Sequence, residues 1–124
     1  MRPCAEPDHG STTLTTVLLT PVFVVIAFAA FQAAMWTHAR TEARAVARDA
    51  AALIARSGHD PAAVESSAEA TLRASADLEQ PDVEVMSRGE FVVVRVSGRA
   101  PGIIRGTSTP VSVTEAMPIE GFRP

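Results

Sequence analysis

Hydrophobic and polar residues are distributed very unevenly along this chain. Residues 1–10 (MRPCAEPDHG) hold two prolines, a glycine and mixed charges, and fit neither a helical nor a strand period. They read as a short polar leader. From Ser11 to Thr37 there is no Asp, Glu, Lys, Arg or His, and Leu14 to Trp36 (LTTVLLTPVFVVIAFAAFQAAMW) is almost wholly apolar. A helix needs about 20 such residues to cross a hydrocarbon core roughly 30 Å thick, and lipid forces every backbone amide to be satisfied within the segment. The pattern therefore predicts a membrane-spanning helix over residues 11–37. Trp36 stands where an interfacial aromatic belongs, and Arg40 follows one turn later on the aqueous side. Thr12, Thr13, Thr15, Thr16 and Thr20 crowd the start of the span, where hydroxyls can bond back to the preceding turn. Pro21 removes one amide donor and predicts a kink.

The helical pattern continues beyond the span. Residues 37–56 contain no Gly or Pro and are rich in Ala and Arg, both good helix formers. Ala43, Val46, Ala50 and Leu53 recur at steps of three and four and predict a narrow apolar stripe. A single helix from Ser11 to Arg56 would be roughly 69 Å long, so residues 38–57 are expected to form a stalk outside the bilayer. Ser57-Gly58 predicts its end, Asp60 a cap, and Pro61 the first position of a short second helix with Val64, Ala68 and Leu72 on one face. Beyond Gln80-Pro81 the period falls to two. Strands are expected at 82–86, 91–97 and 111–117, with a tight turn at 87–90 and a loop from Gly98 to Pro110 holding a turn at Ile103-Ile104. The expected fold is α+β: a long N-terminal transmembrane helix extended as a stalk, a short second helix and a small three-stranded antiparallel sheet. Residues 58–124 form its small domain.

Composition narrows the functional classes. With 124 residues and a net charge of −3, nothing marks a nucleic-acid partner. One cysteine, Cys4, allows no internal disulfide, and His9, His38 and His59 are too scattered to frame a metal site. No nucleophile elbow, triad or phosphate loop is present, so neither an enzyme nor a cofactor is expected.

The order of parts at the N-terminus is more informative. A polar leader ends in Gly10, and Ser11 opens an apolar helix with no charged spacer, the arrangement of a prepilin peptidase substrate cut between Gly10 and Ser11. Together with Pro21, Gln32, the run Trp36-Thr37-His38-Ala39-Arg40, the alanine-rich 43–55 stretch, Val96–Pro101 and the closing Glu120–Pro124, this order makes the chain resemble the TadE-like family of actinobacteria. These are pilin-like proteins of the tight-adherence (Flp, type IV-like) pilus and secretion system. The resemblance implies a minor pilin or pseudopilin-like component, with partners in the lipid bilayer, prepilin peptidase, other pilin-like subunits, an ATPase and pilus platform proteins. It also implies a single-pass protein of the cell membrane with an extracytoplasmic C-terminal domain. The alternative reading is a membrane-anchored interaction module of the cell envelope that enters no filament.

Two features depart from that frame. The fifth residue after the cut is usually glutamate in such proteins, where it pairs with a neighbour's amino terminus; here it is Thr15. The arginine count, Arg2 before the span against Arg40, Arg44 and Arg48 after it, favours the opposite orientation by the positive-inside rule.

Overall fold

The computed structural model describes residues 9–75 and 78–121, so Arg2 and Cys4, and the end of the tail, lie outside the described residues. The element order is α1 (His9–Ser57), α2 (Pro61–Ser75), β1 (Glu79–Arg88), β2 (Phe91–Ala100) and β3 (Thr109–Pro118). This is the expected α+β arrangement. The chain divides into two units, residues 1–32 and 33–124.

The first unit holds the charge-free apolar part of α1. Its large side chains are exposed, among them Leu14, Phe23, Val25 and Phe31. An 18-residue window of the helix has a mean hydropathy of 2.4, and none of it is buried by protein. Thr15, Thr16 and Thr20 donate their hydroxyl protons to the carbonyls of Ser11, Thr12 and Thr16 at 2.7–2.9 Å, which hides their polarity within the helix. The helical segment runs through Pro21 without a break.

The second unit is a sheet covered on one face. The strand order is β1-β2-β3, antiparallel throughout. Val92, Val94 and Val96 point to the covered side, and register places Val83 and Val85 of β1 and Val113 of β3 beside them. Against this face lie Val64, Ala68 and Leu72 of α2 and a row of alanines from α1. A three-stranded sheet is stable only with such a cover. The opposite face carries Phe91, Arg95 and Arg99, all exposed.

The stripe on α1 differs from the expected one. Ala39, Ala43, Ala47, Ala50, Ala51, Ile54 and Ala55 are buried, while Val46 is half-buried and Leu53 is 46% exposed. Alanines fill most of the buried face, joined by Ile54, while Val46 and Leu53 stand at its border.

Local signals ended the elements as the sequence implied. Gly58, with φ of 61°, donates its amide to the Ile54 carbonyl at 3.1 Å and closes α1. Asp60 Oδ2 accepts the Ala63 amide at 3.3 Å and caps α2. At the β1–β2 hairpin Arg88 pairs with Phe91 across Gly89-Glu90; Gly89 supplies the positive φ (59°) that a two-residue hairpin loop requires.

All three strands run longer than expected. β1 begins at Glu79 because a bulge between Glu79 and Asp82 absorbs Gln80 (φ 52°) and Pro81, so the proline irregularity sits inside the strand instead of preceding it. β2 continues to Ala100 and β3 starts at Thr109, which shortens the intervening loop to residues 101–108. Gly98 lies within this extension. A Cβ there would run into Leu78 Cδ2 and stand 2.8 Å from Leu78 Cγ and 3.2 Å from the Glu79 carbonyl oxygen. Leu78 is itself buried and has little room to retreat. Gly98→Ala is therefore expected to destabilise the second unit by about 1–3 kcal/mol, the usual range for overpacking. Urea titration followed by Trp36 fluorescence measures it, and an unchanged midpoint would count against this packing.

Candidate functional site

Gly10 and Ser11, the expected processing site, lie in the first turns of α1, and both are exposed. A Cβ at Gly10 would meet nothing within 4 Å, so the glycine is not required by packing inside the chain. Thr15 stands one turn on, with its hydroxyl committed to the Ser11 carbonyl at 2.9 Å. That leaves no ionisable group at the fifth position and no side-chain proton directed outward.

At the other end of the apolar run Trp36 and Arg40, the expected interfacial residues, belong to the second unit. Trp36 donates its indole Nε1–H to the Pro110 carbonyl at 3.2 Å, and the Arg40 guanidinium stacks over the Trp36 ring, 5.2 Å from its centroid. A helix turn separates the two residues, so the stacking follows from their i,i+4 spacing. Arg44 Nε pairs with Glu115 Oε1 of β3 at 3.4 Å, and Arg56 Nε pairs with Glu120 Oε1 at 3.5 Å. Both pairs are substantially exposed and contribute little stability. The first links β3 to α1, and the second links the residues after β3 to the end of α1.

His38 is exposed and sits 3.4 Å from Glu42, its i+4 neighbour. His59 is exposed beside an open groove between α1 and α2, about 240 Å³ in volume, lined chiefly by Val46, Ala50, Leu53, Ala63, Val64 and Ala68. Among the described residues no three His, Cys, Asp or Glu side chains come together as a metal site.

Two functional-looking contacts were illegible in the sequence. Glu65 of α2 accepts the Val85 amide of β1 at 2.8 Å, twenty residues away. Pro110 meets Trp36 across 74 residues. Neither pair leaves a local pattern, since each depends on how the chain folds back.

The stretch that includes Gly10, Ser11, Trp36 and Arg40 also has a counterpart among known proteins. Residues 10–52 match the TadE-like protein family. The match opens at Gly10 and takes in the apolar run, Trp36, Arg40 and most of the buried alanine row. It associates this TadE-like segment with the tight-adherence pilus, a structural system. No curated protein and no solved structure matches the chain. The long apolar helix suggests a single-pass membrane anchor for the TadE-like segment.

Proposed function

We propose that this chain is a minor pilin or pseudopilin-like assembly component of a tight-adherence pilus or secretion system. In this reading prepilin peptidase cuts between Gly10 and Ser11, the apolar helix anchors the mature protein, and residues 58–124 lie outside the cytoplasm. Other pilin-like subunits and platform proteins are its partners. The observation that carries the reading is the order of a polar leader, Gly10-Ser11 and a charge-free helix, and the family match begins at that same junction. Removing the leader makes an apolar helix the new N-terminus, able to leave the bilayer lengthwise and pack with its neighbours.

Mass spectrometry of the membrane-extracted protein tests this directly. The expected mature chain starts at Ser11, and Gly10→Leu is expected to leave the leader attached. A wild-type chain that keeps residues 1–10 when co-expressed with an active prepilin peptidase would defeat the processing step.

Thr15 supports a second reading, that of an envelope module or assembly factor resident in the membrane. A carboxylate at that position would be costly in lipid unless paired with an incoming subunit, and threonine is comfortable there alone. Shearing cells separates the readings: a fibre subunit leaves with the filaments, whereas a resident factor stays with the membranes. Protease accessibility in spheroplasts tests the orientation, on which the arginines after the span and the processing logic disagree.

A further inference from the structure

We infer that the β2–β3 loop, residues 101–108, is a second membrane contact that lays Ile103 and Ile104 into the bilayer interface. Ile103 is 41% and Ile104 64% exposed, and they are adjacent in a loop of a small domain with a valine-lined core elsewhere. A built turn holds them outward: Thr107 donates its amide (3.1 Å) and its hydroxyl (2.6 Å) to the Ile104 carbonyl. Arg99 ties the base of the loop by donating from Nε to Ser108 Oγ at 2.8 Å and from Nη2 to the Ser108 carbonyl at 2.9 Å. Exposed isoleucines fixed in this way await an apolar surface.

Position identifies that surface. Three contacts set β3 alongside α1 in the same direction: Pro110 at Trp36, Glu115 at Arg44 and Glu120 at Ala55. The β2–β3 loop precedes Pro110 and so emerges at the Trp36 end of the domain. Trp36 closes the apolar run, which places the membrane boundary at that end. The β1–β2 turn at Gly89-Glu90 emerges at the other end, where Ile119 donates to the Glu90 carbonyl and Glu120 to that of Ala55. From Trp36 to Ala55 the helix rises roughly 28 Å, well beyond the ~5–10 Å depth of an interfacial contact.

Charge agrees. Residues 97–114 contain no Asp or Glu but include Arg99 and Arg105, and Arg40 flanks Trp36 on the helix. Glu79, paired in register with Arg99, is the acid nearest the loop base along the strands. Arginines bordering a pair of isoleucines suit a bilayer that contains anionic phospholipid.

The inference rests on the membrane-anchor reading, and one experiment separates their failures. The full chain carrying Cys4→Ser has no other cysteine, so a polarity-sensitive fluorophore can be placed at Ile104→Cys or, as the far-end control, at Arg88→Cys. Each protein is reconstituted in phosphatidylcholine–phosphatidylglycerol vesicles with and without lipids brominated near the headgroup. The expected result is a blue-shifted label at position 104 that loses most of its emission to the brominated lipid, with no such loss at position 88. The sole tryptophan, Trp36, reports anchoring in the same samples. Quenched Trp36 with an unquenched label at 104 overturns the loop contact and leaves the anchor intact. Unquenched Trp36 overturns both.

Discussion

Leu72→Ala is expected to lower the stability of the domain by about 2–5 kcal/mol, the range for truncating a buried leucine without collapse of the cavity. Leu72 is 1% exposed and lies among the largest fully buried side chains, beside Val92, Val94 and Val96. The buried face of α1 brings mostly alanine methyl groups and Ile54 to this core, so few long side chains stand ready to fill the space left by an isobutyl group. A domain of this size has a total stability at the low end of about 5–15 kcal/mol, which makes the loss a large fraction of the whole. Alanine is the better helix former, so any destabilisation comes from packing and not from α2 itself. Leu53→Ala is the matched control: Leu53 is 46% exposed, and its truncation is expected to change stability by no more than ~0.5 kcal/mol. Denaturation of the full chain in detergent, followed by Trp36 fluorescence, compares the two. Equal midpoints for both variants would contradict the packing described here.

Val25→Asp is expected to remove most of the protein from the membrane fraction. Val25 sits mid-way along the charge-free run and is 66% exposed, and its neighbours along the helix carry no charge to pair with a carboxylate. An aspartate at the centre of a spanning helix costs about 2.5–3.5 kcal/mol on insertion scales, a shift of roughly a hundredfold in partitioning. The threonines cannot relieve it, because their hydroxyls already serve Ser11, Thr12 and Thr16. Alkaline extraction of membranes measures the shift, with Val25→Leu as the neutral control. Retention of the aspartate variant at wild-type levels would remove the case for a spanning helix.

Legibility in the sequence followed the range of the interactions involved. Gly58, Asp60 and Pro61 act within a turn of themselves, so the end of α1 and the start of α2 could be read directly. The alternation along β2 puts Val92, Val94 and Val96 on one face, and the fold shows that this face is the covered one. The strand ends could not be read, because Gly98, Pro81 and Pro110 argue locally for loops while cross-strand pairing carries the ladder past them. The apolar stripe differs at Val46 and Leu53 because periodicity alone does not fix which side of the helix meets the sheet, and the buried side holds alanines and Ile54. Of the candidate site, Gly10, Ser11, Trp36 and Arg40 were visible as local order. The tie from Trp36 to Pro110, which makes the tryptophan part of the domain, exists only in three dimensions.

The bond from the Val85 amide to Glu65 has a consequence for association. A three-stranded sheet has two edges, and each offers unpaired amides to any stray strand. At β1 an incoming strand would have to displace a 2.8 Å bond to a carboxylate, worth about 1.5–3 kcal/mol, and pass the bulge at Gln80-Pro81. Growth of the sheet is thereby hindered at β1. Two copies cannot join their β1 edges through the Val85 amide without first unlatching α2, so the geometry guards that edge against runaway stacking.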